Sequence, residues 1–368
     1  MSILAEGAII RDTYEVERLL GEGAFAEVYR VKHRFLGRQA MKVFKRVGIS
    51  LDEIREMLGE AILLTHLKHP NIISVSDANV FDTAKGTCGF FTMEYVPGGS
   101  LDKFWRSHGN QLVPVDTAVD LLKQVCRGIA QAHGEKPPII HRDIKPQNIL
   151  VGYEADGLRA RVSDFGLAKK VNPLTLLATA AGTLAFKPPE AFSQCKGDSP
   201  AADVWALGVT LYLLLTDQIP YQVDPDLGWS NKAAFEKDPA PPSSWNPEID
   251  AGLEKIVLRC MEKNPARRYQ TAKDLLDALD SWKRPAAHHT SSSKRALSSE
   301  VSKSVLGAHS PADLEAAHRL VRAALKKAKE DMHLFEAADL MEEAFNKSPS
   351  LRAKYADQVR LWRCGISM

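Results

Sequence analysis

The residues best suited to chemistry lie in two short polar segments. Residues 141–150 read HRDIKPQNIL, and residues 164–166 read DFG. Transfer of a phosphoryl group needs an acceptor for a hydroxyl proton, cations around the phosphates and in-line placement of the reactants. Asp143 suits the first role, and Lys145 can neutralise the moving group. Asn148 and Asp164 offer the hard oxygen ligands that Mg²⁺ prefers. The two segments therefore predict phosphoryl transfer from ATP.

A glycine-rich turn occurs earlier, in the segment GEGAFAEV of residues 21–28. Gly21 and Gly23 would let the backbone close over phosphates and direct N–H groups at them. A plain glycine turn is the commoner explanation of such a segment, and Ala26 stands where the usual pattern has a third glycine. Residues 28–31, VYRV, indicate a strand, whereas a dinucleotide-binding loop requires a helix there.

Lys42 lies within an apolar strand pattern, and Glu60 lies on the helix predicted to follow it. An ammonium group is costly to bury without a partner. A Lys42–Glu60 ion pair would hold the lysine against the α- and β-phosphates of ATP. The alternative is an exposed strand lysine and a solvated helical glutamate, and neither residue decides the question by itself.

The elements that must position these residues fall into two regions. Residues 14–47 alternate apolar and polar side chains in short runs broken by glycines, which predicts antiparallel strands, and a helical pattern follows over 52–67. Further strands are expected before residues 97–99, PGG. Beyond residue 101 the periodicity is mostly helical, with helices predicted over 117–134, 201–216, 253–262 and 272–282.

The composition is typical of a soluble globular protein. Apolar residues make up 45% and charged residues 26%, and the formal net charge of +2 gives no reason to expect a nucleic acid as partner. The most apolar stretch, residues 204–215, is too short to span a bilayer, and the N-terminus lacks a signal-peptide pattern. The five cysteines have no metal or redox spacing. We therefore expect reduced thiols, a cytoplasmic location and no membrane partner.

The C-terminal quarter has a different composition. Residues 284–311 are rich in serine and poor in large apolar side chains, which predicts a flexible linker. Helical periodicity returns over 312–368 and predicts a small helical module. Ala337, Met341, Ala344 and Pro349 weakly resemble one tetratricopeptide-like repeat. Because a single repeat cannot bury its apolar face alone, the favoured interpretation is a helical cap packed on the rest of the chain or on a protein partner.

Together, these motifs resemble those of the eukaryotic-type serine/threonine protein kinase family, and the similarity covers residues 13–282. Residues 188–190, PPE, match the end of the activation segment, and residues 203–208, DVWALG, match the central helix of the large lobe. Arg268 matches the arginine that pairs with Glu190, and residues 262–272 are similar to bacterial members. The resemblance implies an α+β, bilobal fold, with a small antiparallel-sheet lobe at about 10–97 and a larger helical lobe at about 98–283.

The resemblance also implies an ATP site. Met93 is the implied gatekeeper, and the adenine edge is expected to bind the Glu94 carbonyl and the Val96 N–H. The other implied ATP contacts are Leu20, Gly21, Gly23, Val28, Ala40, Lys42, Ser100 and Leu150. The implied cofactors are ATP and Mg²⁺, with Mn²⁺ as a substitute.

Further implied residues concern specificity and regulation. Lys145 resembles the serine/threonine branch of the family, and Thr183 is expected to hydrogen-bond the catalytic segment. Arg142 precedes Asp143, which implies activation by a phosphate on Thr179 or on the competing site Thr175. Residues 186–188, FKP, depart from the family pattern near the substrate-binding floor, so the peptide preference stays open.

The expected function is thus phosphorylation of protein hydroxyls with Asp143 as catalytic base. One alternative is a pseudokinase or scaffold that binds partners through its kinase fold and C-terminal helices. A second is a kinase fold that acts on a small molecule. The retained lysine, aspartates and asparagine of the motifs argue against the first, and the PPE segment with Asp203 and Arg268 argues against the second.

Overall fold

The structure is a computed structural model that describes residues 2–47, 51–84, 86–109, 111–154, 157–165, 184–192, 198–222, 234–284, 311–330, 333–348, 350–364 and 366. The chain divides into two compact units. The first holds Met1–Val96 with Ser163–Lys170, and the second holds Pro97–Val162 with Val171–Met368. Each unit positions a different group of the candidate residues.

The first unit is built on an antiparallel sheet. Its strands are β1 Ile9–Ile10, β2 Tyr14–Glu22, β3 Ala26–His33, β4 Gly37–Val47, β5 Val75–Thr83 and β6 Gly86–Glu94. Their order in the sheet is β1-β2-β3-β4-β6-β5. The β3–β4 hairpin turns at Gly37, whose φ of +77° is accessible to glycine at little cost. The alternating pattern over 14–47 predicts β2, β3 and β4, and β5 and β6 are the further strands expected before residues 97–99, whereas the two-residue β1 was not predicted.

One face of this sheet is an apolar core. Val16, Tyr29, Met41, Val43 and Phe90 are buried together there. Because successive side chains on a strand point to opposite faces, the residues between them lie on the other face. One face of the sheet therefore packs in the apolar core, and the candidate ATP contacts lie on the other face.

Two short helices, α1 Leu51–Met57 and α2 Gly59–His66, connect β4 to β5. The sequence predicts one helix over 52–67, but the helix is interrupted at Leu58. The next residue is a glycine, which is a poor helix former. Glu60 is among the buried residues of α2. A carboxylate is costly to bury alone, so this helix must bring Glu60 to a cation.

The second unit contains the helices α3 Leu101–Arg106, α4 Val115–His133, α5 Pro200–Thr216, α6 Ala251–Cys260 and α7 Ala272–Ser281. The four longer ones confirm the predicted helices to within two residues at each end. Helix α5 begins after the cap Ser199, ends at Asp217 in the left-handed region, and is buried along almost its whole length. Even so, none of the described helices has both the length and the apolar character needed to cross a membrane.

A second, two-stranded sheet lies within this helical region. Its strands β7 Ile149–Glu154 and β8 Gly157–Val162 pair antiparallel. Gln124 of α4 fixes this hairpin, because its Nε2 donates to the Leu158 carbonyl at 3.0 Å and its Oε1 accepts from the Ala160 N–H at 2.9 Å. The helical periodicity after residue 101 gave no indication of this hairpin.

Three C-terminal helices, α8 Pro311–Glu330, α9 Leu334–Lys347 and α10 Ser350–Arg363, complete the second unit. Met341, Phe345 and Trp362 are buried in their shared core, and Tyr153 of β7 belongs to the same cluster. The rings of Tyr153 and Phe345 meet edge to face at 6.1 Å between centroids. The C-terminal helices therefore pack on the β7–β8 hairpin, in agreement with the helical cap expected from the sequence.

Candidate active site

Lys42 of β4 is held between two carboxylates of the first unit. Its Nζ lies 2.9 Å from Glu60 Oε2, and it forms a second ion pair with Asp164. The side chains of Lys42 and Glu60 are only 6% and 2% exposed. The ion pair foreseen from the sequence is therefore present, and Asp164 is an additional partner. Asp164 also has a φ of 62°, a conformation that a non-glycine residue adopts only when its surroundings enforce it.

Burial and charge have opposite effects in this cluster. Burial lowers the pKa of Lys42, but the carboxylates of Asp164 and Glu60 outweigh it, so the pKa lies above its ordinary value. Burial raises the pKa of Glu60 to about 7, although the charge of Lys42 opposes this increase. The ammonium of Lys42 therefore stays protonated at neutral pH, which is the form that attracts phosphate oxygens.

Several of the expected ATP contacts share the sheet face that carries Lys42. Directly opposed residues on neighbouring strands point to the same face. Val28 pairs with Lys42, and Ala40 pairs with Met93. Ala40 lies two residues from Lys42 on β4, so all four side chains belong to one face. The three side chains that share this face with Lys42 here, those of Val28, Ala40 and Met93, are apolar.

The glycine-rich segment forms a tight turn between β2 and β3. The Gly23 N–H donates to the Ala26 carbonyl at 2.8 Å, and Gly21 pairs with Val28. Both glycines are exposed, while Leu20 is half-buried beside an irregularity in the strand pairing. Because a strand follows the turn, the segment is not a dinucleotide-binding loop.

The residues expected to bind adenine and ribose divide between the two units. In the first, the Glu94 N–H donates to the Ser74 carbonyl at 3.0 Å, and Val96 is buried. In the second, Ser100 caps α3 by accepting from the Lys103 N–H at 3.3 Å, and it forms a β-bridge with Leu150. Each group is thus fixed by local hydrogen bonds within its own unit.

The carboxylate of Asp143 is held by neighbours in the second unit. Lys145 Nζ lies 2.8 Å from its Oδ2. Asn148 Nδ2 donates to the same oxygen at 2.9 Å and to the Asp143 carbonyl at 2.8 Å. The Asp143 side chain nevertheless remains 28% exposed, so an incoming hydroxyl can reach it. The structure thus brings together three of the residues selected from the sequence.

Asp203 of α5 anchors the backbone of residues 141 and 142, directly before Asp143. Its Oδ2 accepts from the His141 N–H at 2.8 Å, and its Oδ1 accepts from the Arg142 N–H at 2.9 Å. His133 Nε2 lies 3.0 Å from Asp203 Oδ2, while its Nδ1 faces the Ala272 N–H at 3.2 Å. The His133 proton must therefore reside on Nε2 and be donated to Asp203. These bonds hold Arg142 at a φ of 68°.

Lys187 is a further cation beside Asp143. Its Nζ donates to the Arg142 carbonyl at 2.6 Å and lies 3.9 Å from Asp143 Oδ1. Burial lowers the pKa of Lys187, and the neighbouring Lys145 adds to this effect while Asp143 opposes it. Arg142 itself is paired with Asp198 at 2.7 Å. The sequence associated Lys187 with the substrate floor and gave no indication that it contacts the catalytic segment.

Glu190 and Arg268 form the ion pair that the family resemblance implied. Two guanidinium nitrogens of Arg268 lie 2.6 and 2.7 Å from the two carboxylate oxygens. The Arg268 side chain is fully buried, stacks at 4.8 Å over the Trp205 ring and donates to the Ala201 carbonyl. The pair therefore ties Glu190 to the helical core of the second unit.

Several predicted residues lie outside the described part of the chain. These are the catalytic candidate Thr183 and the phosphosite candidates Thr179 and Thr175. Residues 285–310 of the linker predicted at 284–311 lie outside it as well. Conversely, sequence reasoning missed His133 and Gln124, because neither has a partner at a recognisable spacing.

Comparison with known proteins connects these features to a family. The protein kinase domain profile matches residues 14–279. The serine/threonine-protein kinase PrkC of Bacillus subtilis is 32% identical over 275 residues, which cover 73% of this chain and 40% of that protein. The serine/threonine-protein kinase PknB of Mycobacterium tuberculosis is 32% identical over 274 residues, which cover 72% of this chain and 42% of that protein. The chain therefore spans about two fifths of the length of these relatives.

The solved structures agree with the sequence matches. The kinase domain of PknI from Mycobacterium tuberculosis superposes with a TM-score of 0.55 at 26% identity, covering 75% of this chain and 98% of that one. The profile match extends over well more than half of the chain and contains every catalytic-segment residue described above. On this evidence, the chain belongs to the protein kinase family.

Proposed function

We propose that this chain is an ATP-dependent serine/threonine protein kinase with Asp143 as its catalytic base. The observation that carries the proposal is the arrangement around Asp143. Lys145 and Asn148 contact its carboxylate at 2.8 and 2.9 Å, and the carboxylate stays partly exposed. The relatives PrkC and PknB are both named serine/threonine-protein kinases, which supports serine and threonine as the acceptors.

In the proposed reaction, Asp143 accepts the proton of a substrate hydroxyl as the new bond to the γ-phosphorus forms. The bond from that phosphorus to the bridging oxygen breaks, and ADP leaves. Lys145, next to Asp143, stabilises the negative charge of the moving phosphoryl group. Lys42, kept protonated by Glu60 and Asp164, binds the α- and β-phosphates. Thr183 is proposed to hydrogen-bond Asp143 and Lys145.

A divalent cation, Mg²⁺ or Mn²⁺, would neutralise the phosphate charge when bound. We assign the Asn148 amide oxygen and the Asp164 carboxylate as its protein ligands. Within the described ranges, no three His, Cys, Asp or Glu side chains cluster into a metal site. Mg²⁺ usually takes one or two protein oxygens and completes its coordination shell with phosphates and water.

The decisive experiment measures transfer from γ-labelled ATP to a generic protein substrate in the presence of Mg²⁺. Asp143→Ala should lower the rate at least about a hundred-fold, the usual contribution of a catalytic base. Asp120→Asn, an exposed change on α4, is the matched control and should behave like wild type. Acid hydrolysis of the product should yield phosphoserine and phosphothreonine. A wild-type rate equal to that of Asp143→Ala would favour the pseudokinase or scaffold alternative.

Regulation is proposed to act through the activation segment. A phosphate on Thr179, or on Thr175, would add about −1.5 to −2 charges near the cationic Arg142. Because Asp198 already pairs with the Arg142 guanidinium at 2.7 Å, the phosphate would compete with an exposed carboxylate. We expect Thr179→Ala to lower the activity and Thr175→Ala to matter less. Full activity of Thr179→Ala, with no phosphate on that residue in active wild-type protein, would contradict this mechanism.

The proposed partners are protein substrates and a protein bound by the C-terminal helices, and the proposed location is the cytoplasm. Within the described residues, Cys88, Cys126, Cys260 and Cys364 are free thiols. The module at 312–368 and the linker before it are proposed as distinct segments of the chain. The proposed binding of a protein partner does not require the module to be a tetratricopeptide-like repeat.

A further inference from the structure

The segment 97–100 leads directly from the residues expected to bind adenine to Ser100, the residue expected to contact ribose. It contains two consecutive glycines, which lose more backbone entropy on ordering than any other residue. Gly99 adopts a φ of +76°. A Cβ added at Gly98 would overlap the Val151 carbonyl oxygen. The two glycines therefore give the backbone of this segment wide conformational freedom, yet in the structure the segment is closely packed.

Two groups hold this segment from outside. On one side, the Val151 N–H of β7 donates to the Gly99 carbonyl at 2.8 Å. On the other, Asn346 Nδ2 of α9 donates to the Pro97 carbonyl at 3.0 Å. The same amide lies 3.2 Å from the position of a Cβ added at Gly99, so α9 approaches the glycine pair closely. A C-terminal helix thus takes part in fixing the segment.

The contact of Asn346 is part of a broader attachment. Glu342, one turn earlier on α9, accepts from the Tyr153 N–H of β7 at 3.4 Å. Arg352 of α10 hydrogen-bonds Ser107 and lies 4.4 Å above the Phe104 ring, at the far end of the helix that Ser100 caps. The C-terminal helices therefore contact the C-terminal end of α3, the segment that precedes α3, and strand β7.

From these contacts we propose that Asn346 is a positioning residue of the ATP site. By holding the Pro97 carbonyl it keeps residues 97–100 in the conformation that receives ATP. The C-terminal helices are then a component of nucleotide binding. Without the contact, the glycine-rich segment must be ordered when ATP binds, and this entropic cost weakens binding. The proposal rests on the kinase function proposed above.

The test compares full-length Asn346→Asp with wild type. This substitution keeps the shape of the side chain but replaces the donating amide with a carboxylate oxygen facing the Pro97 carbonyl. Loss of one such hydrogen bond should raise the KM for ATP about five-fold, with kcat changed less than about two-fold. Asn346→Ala should act in the same direction. Lys347→Ala is the matched control, because the neighbouring Lys347 interacts with Asp313 at 3.8 Å and should leave the KM unchanged.

A second measurement does not depend on catalysis. Hydrogen–deuterium exchange of the peptide containing residues 97–101 should be faster in Asn346→Asp than in Lys347→Ala, and the affinity for a fluorescent ATP analogue should fall about five-fold. An unchanged KM, analogue affinity and exchange rate in Asn346→Asp would overturn the proposal, as would a lower melting temperature alone. If wild type transfers no phosphate, the proposed function fails, but exchange and analogue binding still decide the role of Asn346.

Discussion

At the scale of single residues, the most informative group is Lys42 with its two carboxylates. The sequence offered the pairing with Glu60 as one of two interpretations, since a lysine in an apolar strand needs a nearby charge, and the structure contains the pair. It did not foresee the contact with Asp164, which lies 122 residues away along the chain. Motif spacing indicates which residues are chemically suitable, but long-range contacts depend on how the elements pack.

The Lys42 cluster leads to a graded prediction. Lys42→Met removes the cation that binds phosphate and should lower phosphoryl transfer at least about a hundred-fold. Glu60→Gln should lower the transfer rate less than Lys42→Met does, because Asp164 still pairs with the Lys42 ammonium. Rates of transfer from labelled ATP provide the measurement.

The control for Lys42 lies on the same strand. Lys45 pairs with Glu22 at 2.5 Å, but both side chains are substantially exposed. Lys45→Met should therefore change stability little and leave the rate close to that of wild type. A rate for Lys42→Met equal to that of Lys45→Met would refute the assigned role of Lys42.

At the scale of elements, helices were predicted better than strands in the second unit. Helix α5 is recognisable because its continuous apolar sequence matches its burial on all sides. The β7–β8 hairpin is not, because its stability depends on other parts of the chain. Gln124 supplies two of its hydrogen bonds, and Phe345 covers Tyr153. The break at Leu58 was missed for a related reason, since a helical pattern alone does not reveal a one-residue interruption.

The Glu190–Arg268 ion pair is a contact between elements, and a substitution of either residue should lower the free energy of unfolding. Lysine cannot reproduce the two parallel hydrogen bonds or the stacking on Trp205. Breaking a buried ion pair typically costs about 3–5 kcal/mol, and we expect Arg268→Lys to approach this range. The midpoint of urea unfolding measures the loss.

The neighbouring arginine provides the comparison for this pair. Arg267 is exposed, and Arg267→Lys should change the free energy of unfolding by no more than about 0.5 kcal/mol. Glu190→Gln should lower the free energy of unfolding by a large part of the decrease caused by Arg268→Lys, since both variants break the same ion pair. Equal midpoints for Arg268→Lys and Arg267→Lys would show that the pair contributes nothing to stability.

At the scale of the whole chain, the family fold and the C-terminal helices were both predictable, but their connection was not. The apolar spacing of α8–α10 indicates helices that need a partner surface. It does not indicate that the surface is the β7–β8 hairpin, because Tyr153 gives no sign in the sequence of being buried by a distant helix. The helices complete the core of the second unit, so its stability should depend on groups at their interface.

Glu342 is the titratable group at the centre of that interface. Burial raises its pKa to about 7, although Arg363 of α10 opposes the increase with an ion pair at 2.7 Å. Asp339 on its own helix adds to the increase, and the Tyr153 N–H of β7 reduces it. Arg352 of α10 is a further charged neighbour. The carboxyl of Glu342 therefore binds a proton more tightly in the folded chain than in the unfolded chain.

This difference fixes the sign of a pH effect. Between about pH 4.5 and about pH 7 the unfolded chain has lost the proton while the folded chain retains it, so stability from Glu342 is greatest at low pH and falls as the pH rises. Relative to Glu342→Gln, which cannot titrate, wild type should lose on the order of 3 kcal/mol across this interval. Urea midpoints at about pH 5 and about pH 8 measure the effect. Glu336→Gln, on the exposed side of the same helix, should track wild type at both pH values. If the difference between wild type and Glu342→Gln stays constant or grows with pH, Glu342 is ionised in the folded chain and its pair with Arg363 governs the interface instead.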